Sequence, residues 1–187
     1  MAKRMMDWRS GSAVVAVLLL AVAGLAGCSV SPPRGVEVVK PFEIDRYLGT
    51  WYEIARLDHS FERGLDNVKA EYSLRPDGNV KVVNSGFDQK SGERNEAVGV
   101  AKFIGSDDVG SLKVSFFGPF YGGYHVVELD EDYQWALVIG QSRKYLWILA
   151  RDKQIPDEVR ARLLQKASDL GIDVSELIWV EHDRDEV

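Results

Sequence analysis

Val68, Ala70, Tyr72 and Leu74 alternate with Lys69, Glu71, Ser73 and Arg75. A period of two puts the apolar set on one face of an extended chain, which describes a strand buried on one side. Leu112, Val114 and Phe116 repeat the pattern against Lys113 and Ser115. Six more strand candidates run over 48–58, 80–87, 97–104, 124–129, 133–140 and 145–150. Between them stand turn residues: Pro76-Asp77-Gly78-Asn79, Ser91-Gly92, Ser106–Gly110, Gly118-Pro119, Gly122-Gly123 and Asp130-Glu131-Asp132. Eight strands on short links make an antiparallel meander, and a meander that long closes on itself because closure removes both edges. After Pro156 the period changes, with Val159, Leu163, Leu164, Ala167 and Leu170 at three- and four-residue spacing until Gly171. That pattern predicts a helix with Pro156 in its first turn and one face packed on the barrel. A short strand, Leu177–Val180, follows. The expected fold is all-β: an eight-stranded antiparallel up-and-down barrel, one C-terminal helix outside it, and a short final strand.

The amino-terminal segment is of another kind. Lys3, Arg4 and Arg9 precede an apolar run from Ala13 to Gly24, too short for a spanning helix of ~20 residues and typical of a secretory leader. The run ends in Leu25-Ala26-Gly27-Cys28, which resembles the lipobox of bacterial lipoproteins, and Cys28 is the only cysteine. The resemblance implies a diacylglyceryl thioether on Cys28, cleavage before it, and acylation of the new amine. Several acyl chains hold stably where one is marginal. Ser29 beside the cysteine resembles the outer-membrane sorting pattern, which implies a periplasm-facing domain. The division is then a leader 1–27, a polar, proline-bearing tether 28–41 and a barrel domain 42–187.

The chain of 187 residues carries a formal charge of −6. The leader has Lys3, Arg4 and Arg9 against Asp7, a net of +2, so the remaining 160 residues sit near −8. Such a balance argues against a nucleic-acid partner. His59, His125 and His182 are scattered, and there is no HExxH, no paired-cysteine site and no Gly-x-Ser-x-Gly elbow. Gly118–Gly123 holds three glycines but does not lead from strand to helix, so it is no phosphate cradle. Neither a metal, a cofactor nor catalysis is expected.

Three motifs in order, Gly49-Thr50-Trp51, Asp132-Tyr133 and Arg151 after Leu146–Ala150, together with the late helix, resemble the lipocalins. The resemblance is nearest to the bacterial outer-membrane lipoprotein lipocalins related to apolipoprotein D, and covers about Phe42 to His182. In a meander, the start of strand one, the start of strand seven and the end of strand eight share one end. Trp51, Tyr133 and Arg151 therefore converge, and an arginine over an indole is worth ~1–2 kcal/mol when partly desolvated. The resemblance implies that Gly49, Trp51, Asp132, Tyr133 and Arg151 plug the closed end, a structural role.

The opposite end is formed by loops at about 58–66, 87–92, 117–123 and 140–144, contributing Phe61, Phe87, Phe117, Phe120 and Tyr121 as an apolar mouth. Candidate lumen residues are Ala55, Tyr72, Val82, Phe116, Tyr124, Val126, Trp135, Leu137 and Trp147. Trp135 and Trp147 are expected on one patch of neighbouring strands seven and eight. Strand one alternates poorly, and the facing of Glu53 and Arg56 is left open. The resemblance implies fatty acids, lysophospholipids or similar single-chain amphiphiles in the lumen, with the protein a monomer or homodimer held on the membrane by its anchor. Two rivals stand beside this carrier. An empty, connected lumen counts against a scaffolding lipoprotein with a filled barrel. A polar ion pair or histidine deep inside favours a lipid-modifying enzyme on the same frame.

Overall fold

The structure is a computed structural model that describes residues 29–184. Cys28 and the leader 1–27 lie outside the described residues. Eight strands follow in order: β1 Gly49–Arg56, β2 Leu65–Leu74, β3 Val80–Asp88, β4 Arg94–Phe103, β5 Ser111–Phe117, β6 Phe120–Leu129, β7 Trp135–Ile139 and β8 Leu146–Ala150. Each pairs antiparallel with the next, and β1 pairs with both β2 and β8, which closes the barrel. One edge of β1 is shared between two strands. Only Gly49–Tyr52 of β1 reach β2, and from Ala55 onward a ninth strand, β9 (Ile178–Trp179), takes that edge.

A four-residue helix, α1 (Ile44–Tyr47), precedes β1, and α2 (Asp157–Asp169) follows β8. Pro156 stands just before α2, as its N-cap with extended ψ, rather than within the first turn as the sequence suggested. The missing proline N–H costs nothing at either place, which is why sequence cannot separate them.

Two apolar layers share the barrel wall. The inner one gathers Phe42, Tyr47, Trp51, Val80, Val126 and Val138. The outer one lies between the wall and α2, and joins Ile54, Leu137, Ile148 and Ala150 to Leu163 and Ala167. Strands β7 and β8 are squeezed between the layers, so every residue of β7 is buried. This explains their unbroken apolar runs, Trp135-Ala-Leu-Val-Ile139 and Leu146-Trp-Ile-Leu-Ala150. By contrast β2 meets solvent on one face and shows clean alternation.

The polar segment before the domain is laid along the barrel. Gly110 donates its N–H to the Val39 carbonyl and Val39 donates to Val126, while the Val30 carbonyl approaches Gly123. A methyl group at Gly123 would meet that carbonyl oxygen at 2.7 Å, so glycine is needed there for close approach.

Candidate functional site: the barrel lumen

The closed end is built around Trp51, fully buried, whose Nε1 donates to the Tyr47 carbonyl at 2.8 Å. The Arg151 guanidinium lies 4.0 Å from the indole centroid. It donates from Nη2 to the Arg46 and Leu48 carbonyls, both at 2.9 Å, and from Nη1 to Thr50 at 2.7 Å. One side chain thus satisfies carbonyls around the end of α1 while stacking on the ring that α1 supports. Gly49 is needed because its φ is +92° and a Cβ there would stand 3.4 Å from Arg151 Nη1. Tyr133 accepts the Glu43 N–H on its hydroxyl at 2.9 Å. Asp132 does not join the plug. It is exposed, and the neighbouring Asp130 carboxylate orders this turn by accepting the N–H groups of Asp132 and Gln134.

Above the plug the hydroxyls of Tyr47, Tyr124 and Tyr72 form a chain, 2.7 Å and 3.0 Å apart. Burial raises all three phenols well above their ordinary pKa, so they stay neutral. Tyr72 and Tyr124 make the floor of an open cavity of about 640 Å³, with the Tyr47 hydroxyl bonded to that of Tyr124. That volume falls within the ~300–1,000 Å³ of small-molecule sites. Tyr72, Val82, Phe116, Tyr124 and Trp147 line it, together with Ala70 and Val114 from the apolar faces of the alternating strands and with Leu149, three residues not among the lumen candidates. Phe61, Phe117, Phe120 and Tyr121 form the mouth. Phe87 does not reach the cavity and lies under Arg184, 4.7 Å from the guanidinium.

Four of the sequence's lumen candidates lie elsewhere. Trp135 and Leu137 point outward into the layer beneath α2, where the Arg162 guanidinium lies 5.0 Å from the Trp135 ring. The register decides this: Trp135 pairs with Ala150, whereas Trp147 pairs with Val138, so the two tryptophans are on opposite faces. Ala55 is also outside, because β1 carries a bulge between Glu53 and Ala55. Val126 does point inward, but belongs to the closed-end core and not to the cavity wall.

The same bulge turns both Glu53 and Arg56 inward. Glu53 pairs with Leu149 and Arg56 with Trp147, both inward residues of β8. Arg56 Nη1 donates to Glu53 Oε1 at 2.6 Å, and its Nη2 donates to the Glu62 and Leu65 carbonyls, each at 3.0 Å. The Glu62 carboxylate accepts Trp147 Nε1 at 3.0 Å, with His59 Nε2 at 3.1 Å. All four ionisable groups are buried. Burial, then the nearby Glu62 charge, push the Glu53 carboxyl well above the ordinary range, against the pull of Arg56. For Glu62 burial acts in the same upward direction, but His59, Trp147 and Arg56 outweigh it and hold the carboxyl below that range. A buried cluster of this kind ties the β1–β2 loop to β8 beside the cavity; Arg56 Nε and both His59 ring nitrogens are buried in it without a hydrogen-bond partner. His125 lies on the outside, fully buried, with Nδ1 2.9 Å from Ser111 Oγ. Among the described residues no cluster of His, Cys, Asp and Glu could hold a metal ion.

A closed antiparallel barrel with a plugged end, an open lumen and one helix on its flank defines a class of small-ligand-binding barrels. The family model of the lipocalin-like domain matches residues 42–182, and the chain belongs to the lipocalin family. Outer membrane lipoprotein Blc of Escherichia coli (strain K12) is 52% identical over 168 residues, covering 90% of this chain and 95% of that one. Apolipoprotein D of Rattus norvegicus is 30% identical, covering 87% and 94%. The crystallised insecticyanin of the tobacco hornworm Manduca sexta superposes with a TM-score of 0.66 at 23% identity, over 83% and 89% of the two chains, a likeness of fold.

Proposed function

We propose that this protein is a lipid-anchored carrier that holds a fatty acid, a lysophospholipid or a similar single-chain amphiphile in its lumen. The observation that carries the reading is the cavity: about 640 Å³, walled mostly by apolar side chains above a neutral tyrosine floor, and open at the loop end. An acyl chain placed there gains ~0.8 kcal/mol per buried methylene, and the polar head stays near the mouth. Space of this size favours a carrier over a scaffold with a filled barrel. The likeness to outer membrane lipoproteins supports acylation of Cys28, residence at the outer membrane, and a domain facing the periplasm. Lipids extracted from a Cys28→Ser protein, which has no acyl chains of its own, are identified by mass spectrometry. Single-chain amphiphiles at up to one per barrel are expected, and a barrel that never takes up lipid refutes the carrier.

One observation favours a second reading, a lipid-modifying enzyme. The Glu53–Arg56 and Glu62–His59 pairs stand at the cavity wall, where acid–base groups would be needed. The direct ion pairing within each suits a latch better than a catalyst. Recovery of a lysophospholipid unchanged after prolonged incubation with the protein rejects the enzyme.

A further inference from the structure

The two ends of the barrel differ in chemistry, and the chain leading to Cys28 arrives at one of them. From Val39, bonded at the closed-end half to Gly110 and Val126, the segment climbs the outer wall. Arg143, in the loop between β7 and β8, donates from Nη2 to the Arg34 carbonyl at 3.0 Å. The Val30 carbonyl then reaches Gly123, whose N–H is bonded to Gln141 of that same open-end loop. Ser29, the neighbour of Cys28, is therefore beside the mouth.

The mouth also holds the most exposed apolar side chains: Phe61, Phe117 and Phe120 are 62%, 81% and 77% accessible. Solvent-facing phenylalanines around an opening are costly in water and gain on entering an acyl-chain boundary. Charge is polarised along the same axis. The three closed-end turns, 75–79, 104–110 and 130–134, carry Asp77, Asp107, Asp108, Asp130, Glu131 and Asp132 against Arg75. The open-end loops carry Arg63, Lys90, Arg143 and Lys144 against Asp58, Asp66, Asp88 and Glu93, with Glu62 buried, and so stand near charge balance at their surface. An acidic chain thus turns its less acidic end towards the side from which the anchor leaves. Carboxylates near an anionic leaflet are repelled, which keeps the acidic closed end away from it.

We propose that the anchored barrel sits mouth-down, with the Phe61, Phe117 and Phe120 rim inserted at the headgroup boundary of an anionic bilayer, so that lipid passes between membrane and lumen without crossing water. The proposal rests on the reading of Cys28 as the acylated anchor. It does not follow from that reading, since an anchor alone leaves the barrel free to tumble. The rim would enter by ~5–10 Å, the depth reached by interfacial apolar groups. The ten residues of β2, at ~3.3 Å each and tilted ~40°, keep the closed-end turns ~25 Å away.

The test uses the full lipidated protein in phosphatidylethanolamine vesicles containing phosphatidylglycerol, with a fluorophore on Phe117→Cys or, separately, on Asp77→Cys. Both positions are exposed, and Phe120→Cys is a second mouth position should the first disturb the turn. Nitroxide placed on the lipids near the headgroup is expected to quench the mouth labels and leave the Asp77→Cys label unchanged. Replacing phosphatidylglycerol with phosphatidylcholine should reduce the mouth quenching. Flotation separates the two readings. Protein that fails to float with vesicles removes the anchor and the orientation together, whereas protein that floats with equal quenching at both ends overturns the orientation alone. Mouth labels that are unquenched by lipid but pair with one another between barrels would show a second copy covering the rim, and would also overturn it.

Discussion

Trp147→Ala and Trp147→Phe together test whether the lumen is a binding site. The ring is a wall of the cavity, stacked 6.3 Å from Tyr145 and tilted 5.2 Å from His59, and its Nε1 donates to buried Glu62. Two effects therefore separate. Loss of the indole surface removes apolar contact with a bound chain, ~1–3 kcal/mol, which weakens binding roughly 5- to 150-fold. Loss of the N–H leaves Glu62 one donor short, and a hydrogen bond to a charged group is worth ~1.5–3 kcal/mol of stability. Phe keeps most of the wall and loses only the bond, so it should lower the melting temperature, by less than Ala does, while preserving most of the affinity. The cost to folding should stay below the ~3–5 kcal/mol of a fully packed aromatic, because one side of Trp147 already faces open space. Titration with a fluorescent long-chain fatty acid reads affinity, and thermal melting by circular dichroism reads stability. Trp135→Ala is the control: its ring lies under α2, so stability should fall with binding unchanged. If Trp147→Ala unfolds the protein and lipid never perturbs the parent's fluorescence, the ring is filler and the carrier reading fails.

Three further outcomes are expected. Trp51→Ala should cost ~3–5 kcal/mol and lower the melting temperature by ~10 °C; a variant that melts like the parent shows that the Trp51–Arg151 stack is not structural. Because the folded pKa of Glu53 is raised, its contribution to stability is complete below the unfolded value of about 4.5 and is lost as pH rises through the folded pKa. Glu53→Gln cannot lose that proton, so its stability relative to the parent should grow with pH above the ordinary carboxyl range, by up to ~1.4 kcal/mol per pH unit; parallel denaturation curves at all pH values refute this. Cys28→Ser should no longer fractionate with membranes, and a variant that is still cleaved before residue 28 and stays membrane-bound refutes acylation there.

Alternation in β2, turn residues between strands and the change of period after Pro156 determined the barrel and its helix without any tertiary information. These are local properties, set by which face of each element meets water. The convergence of Trp51, Tyr133 and Arg151 was legible for a related reason, since meander order alone brings those chain positions to one end. The lumen was legible only where a strand has a wet side. Tyr72 and Phe116 come from alternating strands, and both line the cavity. In β7 and β8 both faces are buried, so hydropathy carries no parity, and only the register could set Trp147 inward and Trp135 outward. The polar cluster shows the same limit more sharply. Glu53 and Arg56 are three residues apart, a spacing that puts them on opposite faces of a regular strand. One extra residue in the β1–β8 ladder, invisible in composition or period, turns both inward and joins them to Glu62 and His59 from the following loop. Hydropathy depends on each residue and its near neighbours, and so reports the fold; the facing of a doubly buried strand depends on its partner strand, and so belongs to the tertiary structure.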